Sequence, residues 1–198
     1  MKNKLIFATN NLHKIAEIKY VNGNQFEIIT LQEAGIDIDI PEPHNTLEAN
    51  ASEKSKTIHR LTHQNCFSED TGLEVEALNG EPGVKSARYA GDGRNFQDNI
   101  DKLLYELKEE PNRKAKFRTV ISLLLNNKEY FFEGICEGEI SVEQKGIKGF
   151  GYDPIFVATG ATKSFAEMSI EEKNKYSHRQ KAMAQLIQFL KQPAYESN

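Results

Sequence analysis

The chain has 198 residues, 38% of them hydrophobic and 27% charged, a composition of ordinary globular domains that excludes disordered and fibrous classes. Its formal net charge of -4 argues against sequence-independent nucleic-acid binding, which wants a basic footprint, but leaves room for a local cationic pocket around a phosphate. No apolar run approaches the ~20 residues that cross a bilayer, and the opening MKNKLIFATNN is too short for a signal peptide, so we expect a cytoplasmic protein with no membrane or nucleic-acid partner.

In chain order, residues 4–8 (KLIFA) read as a buried strand. A helix follows from about Leu12 to Tyr20, with Leu12, Ile15 and Ile18 near one face. Residues 27–31 are a second strand, and residues 35–45, with two prolines, a loop. Asn45 and Glu48 have capping-box spacing for a helix running to about Thr62. NCFSE is a strand that ends at Glu69, LEVEAL another by alternation, and NGEPG a turn. Phe96, Ile100, Leu103, Leu104 and Leu107 mark an amphipathic helix. KFRTVISLLL and EYFFEGICEGEI are long strands joined by a hairpin turn at Asn126-Asn127. GFGYDPIF is a glycine-rich loop entering a strand. Ser169 with Glu172 and Ser177 with Gln180 make two further capping boxes, and Met183, Leu186, Ile187 and Leu190 form the core face of a last helix. The β-α-β-α-β order with a long hairpin predicts an α/β or α+β fold with a mixed sheet, one domain over residues 1–198 with two lobes. Cys66 and Cys136 lie inside apolar runs and read as reduced core thiols.

Four segments carry possible chemistry. In TNNLHK (Thr9–Lys14) a strand gives way to a hydroxyl and two amides at a helix start, where free N–H groups and the dipole suit a phosphate. An ordinary cap by Asn10 or Asn11 with a solvated lysine fits the same residues. Glu69 and Asp70 follow an apolar strand. Adjacent strand residues point to opposite faces, but beyond the strand end both could reach one hard cation, with Thr71 and Gly72 beside a ligand. A solvated acidic turn fits equally. GFGYDP could stack an aromatic ring on a base and read its edge with main-chain N–H groups, or simply turn the chain with its aromatics packed inward. In EEKNKYSHR, His178 and Arg179 fall in the first turn of a helix, where cations oppose the dipole unless an anion binds there or both point into water. Together the four make an inventory for hydrolysing a nucleoside triphosphate.

The sequence resembles the non-canonical purine NTP pyrophosphatases, the dITP/XTP or inosine triphosphate pyrophosphatase family, from about Leu5 to Leu190. The resemblance rests on ATNNLHK, TLEANASEKS, EDTGLEVEALNGEPGVKSARYAG, GFGYDPIF and EEKNKYSHR in the family's order and spacing. It implies an α/β fold with a mixed, elongated central β-sheet flanked by helices, two lobes with the active-site cleft between them, a homodimer, and Mg²⁺ as cofactor. It implies hydrolysis of ITP, dITP and XTP to the monophosphate and pyrophosphate. Carried over by motif, Thr9, Asn10, Asn11, Leu12, His13 and Lys14 would bind the triphosphate, with Lys54 on the helix before the acidic motif. Asp70 would be the catalytic proton acceptor and a metal ligand, with Glu42 and Glu69 as further metal ligands. Thr71, Phe150, Gly151, Tyr152, Asp153, Lys173, His178 and Arg179 would contact substrate. Three positions depart from the family pattern. Asn10 stands where glycine is usual, Glu69 where aspartate is usual, and Glu42 lies between Pro41 and Pro43.

Overall fold

The computed structural model describes residues 3–192. Seven strands, β1 (Lys4–Phe7), β2 (Glu27–Thr30), β3 (Cys66–Val75), β4 (Pro82–Gly83), β5 (Lys114–Leu125), β6 (Lys128–Ile140) and β7 (Phe156–Ala158), form one mixed sheet. Its helices are α1 (Leu12–Asn22), α2 (Leu47–Thr62), α3 (Phe96–Glu106), α4 (Ile170–Asn174) and α5 (His178–Leu190). The hydrogen-bonded path runs β2-β1-β3-β5-β6-β7, with β4 beside β3. β1 pairs in parallel with β2 and β3; β4 is antiparallel to β3, and β7 to β6. The expected mixed α/β fold is the fold observed.

The chain divides into two compact units. The first comprises the chain up to Asp70, Thr119–Gly134, and the chain from Arg179 onward. Its part of the sheet is buried on both faces. Leu5, Phe7, Phe67, Ile121 and Leu123 pack with Ile18 of α1 and Met183 and Leu186 of α5. The alternate residues Ile6, Ala8, Cys66 and Leu124 pack with Ile58 of α2. This explains why KLIFA reads as a continuous apolar run: a strand covered on both sides has no polar face. The second unit, Thr71–Arg118 and Ile135–His178, centres on Leu73, Val75, Ile100, Leu103, Phe117, Phe156 and Phe165.

Several local expectations are met. The β5–β6 hairpin turns through Asn126 (φ 51°) and Asn127 (φ 62°), the pair of positive-φ residues that a type I′ turn demands. Ser169 and Glu172 form the capping box of α4. Both cysteines are buried thiols outside any disulfide, and burial pushes the Cys66 thiol up to about 12.

Others need correction. The cap of α2 is Thr46, whose side chain accepts from Ala49 N, and not Asn45. Leu12 is 75% exposed at the start of α1, where Glu17, Ile18 and Asn22 are the buried residues. The larger correction concerns the acidic pair. NCFSE and LEVEAL are not two strands; β3 runs unbroken from Cys66 to Val75, straight through Glu69, Asp70, Thr71 and Gly72. It ends at Val75 because the chain turns there through residues 76–80 to bring β4 back, Leu73 opposite Gly83. Gly72 serves that return: a Cβ there would lie 2.7 Å from Gly83 O.

Candidate active site

Because β3 is continuous, its side chains alternate across the sheet and the acidic pair is split. Phe67 and Glu69 face α1 and α5; Cys66, Ser68 and Asp70 face α2. The two carboxylates therefore belong to two different clusters of the first unit.

On the Glu69 side the partners are cationic. Arg179, at the start of α5, donates Nε to Glu69 Oε2 at 2.7 Å and Nη2 to Glu69 Oε1 at 3.0 Å, a bidentate fork. Its Nη1 pairs with Glu17 of α1. Lys14 Nζ lies 3.2 Å from Glu69 Oε1. Burial works against the Glu69 charge, but the Arg179 and Lys14 cations outweigh it and hold the carboxyl at about 2. Burial likewise opposes the Arg179 charge, and Glu69 and Glu17 more than compensate, so its pKa is raised. Two acids meet two bases, and the cluster is neutral. An arginine in a first helical turn, unfavourable to the dipole, is settled here by two carboxylates rather than by water.

On the Asp70 side, Lys54 Nζ sits between two carboxylates, 3.2 Å from Asp70 Oδ1 and 2.6 Å from Glu42 Oε1. Asn50 Nδ2 donates to Asp70 Oδ2 at 3.3 Å. Burial lowers the tendency of Lys54 to carry charge, yet Asp70 and Glu42 raise its pKa overall. Burial pushes the Asp70 carboxyl up, Lys54 and Lys14 pull it back, and Glu42, competing for the same ammonium, adds to the rise. Two acids share one base here, so when both carboxylates are ionised they outnumber the cation between them.

The segment Thr9–Lys14 lies beside these groups. Thr9 Oγ1 accepts from Asn11 N at 3.2 Å, and Asn11 is the cap of α1, its Oδ1 accepting from His13 N and Lys14 N at 3.0 and 3.2 Å. Asn10 is exposed and donates to Ile38 O at 2.8 Å. Leu12 and His13 are exposed.

The second unit carries a separate group. In the loop before β7, the Asp153 carboxylate accepts from Phe150 N at 3.0 Å and from Lys173 Nζ of α4 at 2.6 Å. Gly149 (φ 74°) is required there, since a Cβ would come 2.0 Å from Asp153 Oδ2. The Phe150 ring is half-buried, 6.1 Å from that of Phe96, with Lys173 Nζ 5.5 Å from its centroid. Tyr152 is buried and donates its hydroxyl to Ser86 O at 3.0 Å; burial raises its phenol pKa. The His178 ring stacks on Phe117 at 4.7 Å. Gly151 and Thr71 are half-buried.

The predicted residues thus fall into three groups: Lys14, Glu69 and Arg179; Glu42, Lys54 and Asp70; Phe150, Asp153 and Lys173. The three expected metal ligands do not form one set. Among the described residues no group of three or more His, Cys, Asp or Glu is placed to hold a metal ion. Asp70 and Glu42 do fit a hard divalent cation, because both present carboxylate oxygens to one cationic centre and, when ionised, leave negative charge over.

Two residues of these clusters escaped the sequence reading. Asn50 and Glu17 are buried, polar, and occupy core-facing positions of α2 and α1. The signal for the first was present. Leu47, Asn50, Ala51, Lys54, Ser55 and Ile58 follow the i, i+3, i+4, i+7, i+8, i+11 pattern of a core face, and half of them are polar.

Known proteins match this chain over nearly its full length. The Ham1 family profile matches residues 5–189. The dITP/XTP pyrophosphatase of Flavobacterium psychrophilum is 50% identical, covering 95% of this chain and 99% of that protein. That of Porphyromonas gingivalis is 52% identical over 94% of this chain and 97% of that protein. Among solved structures, the Staphylococcus aureus Ham1 protein superposes with a TM-score of 0.85 at 39% identity, covering 95% of this chain and 98% of its own. A nucleoside-triphosphatase / dITP/XTP pyrophosphatase from Mycobacterium abscessus gives 0.75 at 36% identity, over 93% of this chain and 98% of its own. With a profile match over nearly its full length and relatives of such identity, the chain belongs to the Ham1 family.

Proposed function

We propose that this protein is a Mg²⁺-dependent nucleoside-triphosphate pyrophosphatase that hydrolyses ITP, dITP and XTP to the monophosphate and pyrophosphate, cleansing the nucleotide pool. The observation that carries the reading is Lys54 held between Asp70 and Glu42. Two carboxylates with one base make a cation site of the kind that takes Mg²⁺ together with substrate phosphates. The names of the relatives supply the substrate class.

In this reading Asp70 orients the attacking water and accepts its proton, with Oδ1 the working oxygen. Lys54 and Lys14 take the charge of the departing pyrophosphate, and Thr9, Asn10 and Asn11 offer side-chain hydrogen bonds to the phosphate chain. Mg²⁺, held by Asp70 and Glu42, would polarise the phosphoryl oxygens. Glu69 is not among the ligands of this reading, because it lies on the other face of β3 from Asp70, where the two cations Arg179 and Lys14 balance its charge and that of Glu17. In the second unit Asp153 fixes Lys173 and the Phe150 main chain, so that the loop can present a ring to the base and N–H donors to a 6-keto oxygen. An adenine amino group would meet those donors with donors of its own, a mismatch that can discriminate by ~10⁴. Thr71, Gly151, Tyr152, His178 and Arg179 complete the substrate contacts of this reading. A homodimer in the cytoplasm completes it.

The test is turnover of ITP, XTP, dITP, GTP, ATP and UTP with Mg²⁺, with phosphate and pyrophosphate resolved. We expect pyrophosphate as the first product from ITP, dITP and XTP, and little from ATP. Orthophosphate as the first product would overturn the assignment.

A further inference from the structure

We propose that Asn50 is a positioning residue for this reaction: its side-chain amide selects which oxygen of Asp70 works and fixes the spacing between Asp70 and the Glu42 loop. The inference rests on the reading of Asp70 as the catalytic carboxylate.

Asn50 is fully buried on α2, one turn past the Thr46 cap. Burying an amide costs free energy unless its hydrogen bonds are made, and an apolar side chain would be the cheaper occupant of a core-facing helical position. The amide's bonds are made, two to the His44 main chain and one to Asp70. Oδ1 accepts from His44 N at 2.9 Å. Nδ2 donates to His44 O at 3.2 Å and to Asp70 Oδ2 at 3.3 Å. Both main-chain polar groups of His44 are thereby tied to the same side chain that holds Asp70.

Two consequences follow for the chemistry. Rotation about the Asp Cβ–Cγ bond is soft, so a lone carboxylate does not keep its two oxygens distinct. Here a neutral donor takes Oδ2 and the Lys54 ammonium takes Oδ1, which makes the oxygens inequivalent and turns Oδ1 toward the charged partners. His44 lies two residues beyond Glu42 in a loop that belongs to no helix or strand. The His44 anchor gives that loop a fixed point, so the two carboxylates that share Lys54 are set by one amide. Positioning of this type acts on turnover more than on ground-state binding.

The experiment compares Asn50→Asp, which keeps the shape and removes the N–H donors, with Asn50→Ala, which removes the shape as well. The readouts are Mg²⁺-dependent pyrophosphate release from ITP and thermal unfolding. Both variants should lose kcat by about 10- to 100-fold with KM moved less than about threefold. Wild-type kcat in Asn50→Asp with loss only in Asn50→Ala makes the role one of packing and overturns the inference, as does wild-type kcat in both. A second measurement does not require the Asn50 variants to fold. In ¹⁵N-labelled protein the Asn50 side-chain amide resonances should shift when Asp70 is changed to Ala, and unmoved resonances overturn the inference. Asp70→Asn in the same ITP assay separates the two layers. Activity retained there removes the reading of Asp70 itself, whereas an inactive Asp70→Asn beside fully active Asn50 variants removes only the role of Asn50.

Discussion

Glu69 and Asp70 are neighbours in the chain, yet the two sides of β3 on which they lie are built to different ends. The Glu69 side pairs two acids with two bases and closes on itself, with Arg179 gripped by Glu69 and Glu17 and with Lys14 beside them. The Asp70 side pairs two acids with one base and, with both carboxylates ionised, remains negative. A buried charge cluster that sums to zero satisfies itself; one that does not is a place for another cation. The difference teaches that an acidic pair in sequence is no single feature. A strand's twofold alternation turns one carboxylate toward Arg179 and the other toward Lys54.

The comparison breaks most visibly at Asp70. Asp70→Asn should lower kcat for ITP by about 10³-fold or more, since in the proposed mechanism it removes both the proton acceptor and a cation ligand. Its folded state should lose less stability at neutral pH than that of Glu69→Gln, because burial raises the Asp70 pKa and Lys54 keeps Glu42 as a partner at 2.6 Å. Urea unfolding beside the turnover assay checks both parts. A large loss of stability would place Asp70 with Glu69 as an anchor.

The opposite pattern is expected across the sheet. Glu69→Gln leaves Arg179 buried with a weakened partner set, and should cost about 3–5 kcal/mol of stability at neutral pH. The pH dependence has a definite sign. Glu69 is held at about 2 in the fold against 4.5 when unperturbed, so its contribution is complete above pH 4.5 and is lost as the pH falls toward 2. Unfolding free energies of wild type and variant should therefore converge over that range. A gap that stays constant down to pH 3 would show that the Glu69 charge is not what holds Arg179.

This division also marks how far the sequence was legible. Several local signals are legible because their causes lie within a few residues: the Asn126-Asn127 turn, the Ser169 capping box and the core face of α5, whereas the cap of α2 lies at Thr46, one residue past the one the spacing predicts. The motifs pointed to the residues that cluster, Asp70, Lys54, Lys14 and Arg179 among them. What the sequence concealed was long-range. Glu69 meets Arg179 across 110 residues, and Asn50 meets Asp70 across 20. Without those partners a strand carrying two adjacent carboxylates looks as though it must end, and the sequence alone divides β3 at Glu69. Glu17 was hidden for the same reason, since its partner Arg179 lies 162 residues further on.

The smallest test uses the two helix caps that feed the two sides. Asn11 caps α1, which carries Lys14 and Glu17 to the Glu69 side, and Thr46 caps α2, which carries Asn50 and Lys54 to the Asp70 side. Each satisfies main-chain N–H groups of a first turn, so Asn11→Ala and Thr46→Ala should each cost about 1 kcal/mol in stability. If capping were the whole role of both, they would be equivalent in every assay. Asn11, however, lies in the segment assigned to the triphosphate, while Thr46 has no such assignment. Asn11→Ala should therefore also raise KM for ITP, by about 10-fold if one hydrogen bond to a charged phosphate is lost, with Thr46→Ala leaving KM where it was. Equal KM values for the two variants would reduce Asn11 to an ordinary cap, the alternative that its sequence left open.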